Sequence, residues 1–177
     1  FRGPPLETLV EVNAPSLGTV QRNGFGGHSV RKKRWTVTSV DLNYKACPTI
    51  YGDVLELTAE EVLEYGKVDL VWASPPSTMY SCARTCAKTP RDLEGSDRLV
   101  AKVLDLADEL NCYYIIENPH SGLLKTRPVV QGIPMVVVDY CRYGAAYRKR
   151  TALWTNSTYE PARPLCNKDC ASSDGKK

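Results

Sequence analysis

Apolar residues in this chain fall in short, β-branched runs, each closed by a polar or proline-bearing stop. Residues 6–12 give way to Asn13-Ala14-Pro15, 35–40 to Asp41, 68–73 to Ser74-Pro75-Pro76, and 112–116 to Glu117-Asn118-Pro119. Residues 135–138 and 152–155 are further runs of the same kind. Near-continuous apolar runs, rather than strict alternation, suit strands buried on both faces, as in a parallel sheet. Between them the period changes. Over 93–110, Leu99, Val103, Leu106 and Leu110 recur at helical spacing, with acidic residues near the start. Thr58 and Glu61, ahead of Val62 and Leu63, form a capping-box pattern that predicts a helix start. Strands alternating with helices predict an α/β fold: a Rossmann-like, doubly wound, mostly parallel sheet with helices on both faces. In such sheets ligands bind beyond the carboxyl ends of the strands, where this chain sets its unusual polar residues. One domain is expected over 1–160, with a basic, Gly-rich insertion at 21–34 and a Cys-containing polar tail at 161–177.

Composition changes this picture little. The 177 residues, 42% hydrophobic and 24% charged, suit one soluble globular domain, and no apolar run approaches the roughly 20 residues that span a bilayer. The chain opens on Phe1 rather than methionine, so an upstream segment is expected; nothing present reads as a signal or transit peptide. A net charge of +3 is too mild to mark a nucleic-acid binder. The positive charge is clustered, however, in Arg31-Lys32-Lys33-Arg34 and Arg148-Lys149-Arg150, each either a solvated loop or a backbone contact. Seven cysteines, an odd and scattered set, favour a reducing intracellular compartment, with nucleus and organelles not separated. Cys82 with Cys86 and Cys166 with Cys170 share a Cys-x-x-x-Cys spacing. Cys166 and Cys170 resemble half a zinc site, which Cys82 and Cys86 could complete if the tail folds back over the loop that carries them; free or buried thiols and a disulfide are the alternatives.

Asp41, at a strand end, is placed to accept hydrogen bonds from a nucleoside ribose, and Asp53 to reach an adenine edge. Singly, each reads more simply as a cap or turn residue. The order Ser74-Pro75-Pro76, Arg91-Asp92-Leu93-Glu94, Glu117-Asn118-Pro119, Asp139-Tyr140-Cys141, Lys149-Arg150-Thr151 and Trp154-Thr155-Asn156 resembles the cytosine-C5 methyltransferases. It is most similar to their compact phage and algal-virus members, over residue 6 to the end. The resemblance implies S-adenosylmethionine as cofactor, with Gly18, Asp41, Asp53 and Pro75 as its contacts. It implies an extruded cytosine as target, held at its N3 and amino edge by Glu117. Arg148 and Arg150 become contacts to the nucleic-acid backbone or the activated base. A thiolate following the Pro-Pro pair would attack C6 and make C5 nucleophilic toward the methyl group.

That position is Ser77, a much poorer nucleophile than a thiolate unless a base activates it. His120 follows Glu117-Asn118-Pro119 and is the candidate base; Cys82, five residues on, is a candidate substitute thiol. In the cofactor loop only Gly18 matches the family's glycines, and Pro15 removes a backbone donor there. No separate target-recognition region is expected, as in the compact members that the sequence resembles. The expectation is a methyltransferase-like pseudoenzyme without standard C5 chemistry, a binding or structural component of a larger assembly. The alternative is an active S-adenosylmethionine-dependent methyltransferase acting on cytosine in nucleic acid.

Overall fold

The computed structural model describes residues 8–13, 35–84 and 87–170. The insertion at 21–34, with its basic run, and Gly18 of the cofactor loop lie outside them. The apolar runs pair into one seven-stranded sheet: β1 (Thr8–Asn13), β2 (Thr36–Asp41), β3 (Ile50–Tyr51), β4 (Leu70–Ser74), β5 (Tyr113–Pro119), β6 (Met135–Asp139) and β7 (Arg150–Thr155). Their order across the sheet is β3-β2-β1-β4-β5-β7-β6. Pairs from β3 to β5 are parallel, and β7 runs antiparallel to both β5 and β6. The order reverses between β1 and β4, so the ligand crevice of a doubly wound sheet opens there.

The central strands are buried on both faces, as the apolar runs predict. Val10, Val12, Val71, Ala73 and Ile116 face one layer, while Leu9, Leu70 and Ile115 face the other. The first layer takes the buried residues of helices α1 (Ala59–Leu63), α2 (Ser77–Tyr80) and α3 (Leu93–Glu109). The second holds Val138, Tyr140 and Leu153, with Tyr143 and Tyr159 packed against it. No described helix is long and apolar enough to cross a membrane.

Helix starts follow their local chemistry. Thr58 Oγ1 accepts from Glu61 N at 3.2 Å and Glu61 Oε2 accepts from Thr58 N at 2.9 Å, the reciprocal capping box. At α3, Asp92 Oδ1 accepts from Gly95 N at 2.7 Å. A Cβ at Gly95 would overlap that carboxylate, so the glycine makes room for the cap. The buried stripe of α3 centres on Val100, Val103, Leu106 and Ala107, while Leu99 and Leu110 lie at its edge.

Several strand boundaries differ from the sequence expectation, two of them at the ends of β5 and β7. β5 continues through Glu117-Asn118-Pro119, and β7 starts at Arg150 rather than 152, because the two strands pair antiparallel as far as Pro119 with Thr151. Local composition marks Asn-Pro as a stop; an antiparallel neighbour extends the strand past it. β3, two residues long, has no apolar run of its own and exists through pairing with β2.

Candidate functional site

Ala73 pairs with Ile116, so the segments that leave β4 and end β5 run side by side. Asn118 fastens them: its Nδ2 donates to the Pro75 carbonyl at 3.1 Å, in a fully buried contact. Ser77 and Glu117 thus each lie within two residues of one hydrogen bond, which brings the candidate nucleophile position and the candidate base-binding residue to the same strand ends. Pro75, an expected cofactor contact, is itself buried.

Ser77 opens α2, a short turn whose position is set from below. Tyr80 is fully buried and donates to Asp97 Oδ1 at 2.9 Å; Arg127 Nε donates to Asp97 Oδ2 at 2.8 Å. Burial, then the hydrogen bond to Asp97, raises the Tyr80 phenol well above its ordinary range, so it remains a donor. Arg91 donates to the Met79 and Ser81 carbonyls at 2.8 and 3.0 Å, and Leu123 N to the Tyr80 carbonyl at 2.8 Å. The turn that follows Ser77 is therefore held at three successive residues, Met79, Tyr80 and Ser81.

A cavity of about 200 Å³ opens on this loop, lined by Ser77, Ser81, Cys82, Asn118, Ser121 and Gly122. That is below the roughly 300–1,000 Å³ of pockets for drug-sized ligands. Gly122 packs closely here: a Cβ would stand 3.1 Å from the Pro119 carbonyl, a tight approach, and 3.5 Å from Asn118 Oδ1. Asn118 Oδ1 is buried with no hydrogen-bond partner among the described residues. The Cys82 thiol donates to the Ser121 carbonyl at 3.2 Å. Among the described residues, no histidine or carboxylate hydrogen-bonds the Ser77 hydroxyl. His120 is held by its backbone, its N–H on the Arg150 carbonyl at 3.0 Å and its carbonyl taking Lys125 Nζ at 2.8 Å.

Alternation along β5 sends Glu117 to the face opposite Asn118. There it is 7% exposed, and its Oε1 accepts from Lys149 Nζ at 2.9 Å and from Tyr140 OH at 3.1 Å. Lys149 Nζ also lies 5.1 Å from the centre of the Tyr140 ring. Burial and then the Glu117 charge push the Tyr140 phenol well above its ordinary range, so it stays a donor. No described residue hydrogen-bonds Glu117 Oε2, which leaves that oxygen for a donor from a ligand. Lys149, Tyr140 and Asn118 were part of the motifs read in sequence without a role of their own; only the register of β5, β6 and β7 shows what each touches.

The basic run after β6 divides. Arg148 is exposed. Arg150, expected at the nucleic acid or the base, is chelated to Asp139, with Nη2 2.8 Å and Nε 3.2 Å from Oδ2 and Nε 3.1 Å from Oδ1. Asp139 is buried, and the Arg150 hydrogen bonds hold its carboxyl below the usual carboxylate range. Arg148 is thus the one residue of this run with no ion pair among the described residues, while Lys149 and Arg150 are partly exposed.

At the other end of the crevice, Asp41 ends β2 and accepts from Asn43 N at 2.7 Å; Asp53 accepts from Leu55 N at 3.0 Å. The pairing of Asp41 with Tyr51 places Asp53 two residues from its neighbour in the sheet. Each carboxylate makes the turn contact that a single aspartate suggests, and each is only partly buried.

The cysteines meet in a set that sequence spacing does not show. The sulfur atoms of Cys141, Cys166 and Cys170 lie within 4.8 Å of one another. Cys82 bonds Ser121 beside the cavity instead, and Cys86 lies outside the described residues. The tail takes this course because Cys166 N donates to the buried Asp139 Oδ2 at 2.8 Å and Arg142 chelates Asp169 at 2.7 and 2.9 Å. It therefore folds onto the turn after β6 and not over the α2 loop. Cys141 sits in an Asp-Tyr-Cys motif with no cysteine at zinc-ligand spacing, so only the folded tail reveals it.

No protein-family model matches the chain. It is 35% identical over 151 residues, covering 74% of this chain and 67% of the relative, to a protein of Frog virus 3 (isolate Goorha) described as a probable DNA (cytosine-5)-methyltransferase. Among solved structures it is similar to the S. pombe Dnmt2 methyltransferase, with a TM-score of 0.51 and 14% identity over 93% of this chain; at that identity the likeness concerns the fold. The chain spans about half the length of that structure, 54%. With the strand-end motifs in the positions described, the chain belongs to the cytosine-C5 DNA methyltransferase family.

Proposed function

We propose that this protein binds cytosine in nucleic acid on a methyltransferase scaffold without the family's covalent chemistry, as a pseudoenzyme component of a larger assembly. The observation that carries this reading is Ser77, at the nucleophile's position, with no described histidine or carboxylate bonded to its hydroxyl. A serine without a base is a weak nucleophile toward C6 of cytosine. The base-holding side is intact by contrast. Glu117 is fixed by Lys149 and Tyr140 through Oε1, and its Oε2 can accept from an exocyclic amine. Arg148 is exposed just ahead of β7 and is suited to a phosphate contact.

The family implies S-adenosylmethionine, which supplies the methyl group when bound. Asp41 and Asp53 fit its adenosine half. Each uses one carboxylate oxygen on a local N–H, which leaves the other for ribose hydroxyls or the adenine amine.

A second reading, an active methyltransferase, is favoured by one observation: Cys82 lines the same cavity as Ser77. Both readings meet in one experiment. The protein is incubated with S-adenosylmethionine and DNA containing 5-fluorocytosine, then resolved on a denaturing gel. Wild type is expected to bind cytosine DNA under native conditions with no covalent adduct, and Ser77→Cys to form one. A wild-type adduct that disappears in Cys82→Ala would overturn the pseudoenzyme reading and establish the second.

A further inference from the structure

The tail of this chain is polar and forms no described helix or strand, yet it buries Cys166 to 2% exposure. That thiol does not sit in an apolar core. It faces Cys170, returned by a turn in which Lys168 takes φ 68°, and Cys141, in the 3-10 turn Tyr140–Tyr143 after β6. We propose that Cys141, Cys166 and Cys170 bind a zinc ion that clamps the tail to the end of β6.

The geometry needs little change. Tetrahedral zinc with Zn–S of about 2.3 Å sets its sulfurs about 3.8 Å apart, against the 4.8 Å within which these three already lie. Three soft sulfur donors select zinc over the oxygen-seeking divalent ions. On binding, each thiol releases its proton to solvent, three Zn–S bonds form, and the ion sheds hydration water. Three thiolates on a divalent ion leave one negative charge. Two guanidiniums stand beside it: Arg142 reaches the Leu165 carbonyl at 3.5 Å, and Arg150 the Cys166 carbonyl at 3.3 Å. Asp169 Oδ1 lies 3.5 Å from Cys166 Sγ, but Arg142 holds that carboxylate. The fourth position is therefore left to water or another donor. The ion is structural: it fixes the peptide of Cys166, whose N–H and carbonyl engage Asp139 and Arg150, and so fixes the strand ends behind Glu117.

The test uses the full chain expressed in zinc-supplemented medium and purified without chelator. Elemental analysis is expected to find about one zinc per chain, and cobalt substitution to give thiolate charge-transfer and tetrahedral ligand-field bands. Cys141→Ser and Cys170→Ala should lose the metal, whereas Cys47→Ser and Cys82→Ser should keep it. Cys170→His should keep it with a shifted cobalt spectrum, a result that packing alone would not produce. For wild type, chelation should lower the melting temperature and zinc restore it. Folded wild-type protein that carries no zinc and takes up no cobalt would overturn the proposal. So would non-reducing peptide mapping that finds Cys141 in a disulfide with either tail cysteine.

Discussion

Lys149 Nζ lies 2.9 Å from Glu117 Oε1, and the ammonium group is the charge partner of a carboxylate that is almost wholly buried. Removing it strands the anion. Lys149→Met is therefore expected to cost about 2 kcal/mol in urea denaturation, below the roughly 3–5 kcal/mol of a fully buried pair because Lys149 remains partly exposed. Glu117→Gln removes the anion and should cost less. It should also weaken binding of cytosine DNA, whereas a variant at exposed Glu64 should not.

Tyr80 is the anchor of the loop that carries Ser77, and its hydroxyl serves Asp97 rather than the cavity. Tyr80→Phe keeps the packing and leaves Asp97 with Arg127, so a loss of about 1 kcal/mol is expected. Tyr80→Ala also opens a void in the first layer and should cost about 3–5 kcal/mol. Calorimetric melting of the two variants separates the hydrogen bond from the packing.

Gly95→Ala in the first turn of α3 would ordinarily stabilise by about 1 kcal/mol. Here the new Cβ displaces the Asp92 carboxylate from its cap, itself worth about 1 kcal/mol, so the net change should be close to zero. In an Asp92→Ala background the same substitution should stabilise. The double-mutant cycle measures that difference directly.

Burial, then Lys125, then Arg150 hold the His120 imidazole below its ordinary value. The unfolded chain, titrating at about 6.5, therefore takes up this proton before the folded one does. This contribution to stability is full above that value and falls as pH drops through it, until the depressed folded value is passed. His120→Gln should flatten the fall of the denaturation midpoint as pH drops below about 6.5; an unchanged slope would show that His120 contributes nothing there.

Much of the fold was legible because its determinants are local. β-branched runs, the Thr58–Glu61 box and the α3 stripe act within a few residues of themselves. β3 and the reversed direction of β7 were not legible, since a two-residue strand and a strand's orientation exist only through a partner. The site divides in the same way. Ser77, Glu117, Asp41 and Asp53 could be singled out because strand ends mark where ligands bind in this architecture.

What each polar residue does at that crevice was decided by pairing across long distances. Arg150 and Lys149 are neighbours in a basic run and look equivalent. In the folded chain the first serves Asp139 and the second serves Glu117, because β7 pairs antiparallel with β6 and β5. Likewise Cys166 and Cys170 announce themselves by spacing, but Cys141 joins them only when the tail folds back onto Asp139. The sequence by itself determined the strand-and-helix scaffold and the serine at the nucleophile's place, since both are written in consecutive residues. Tertiary structure alone decided which charges are paired and which thiols meet, since those contacts join segments 11 to 32 residues apart.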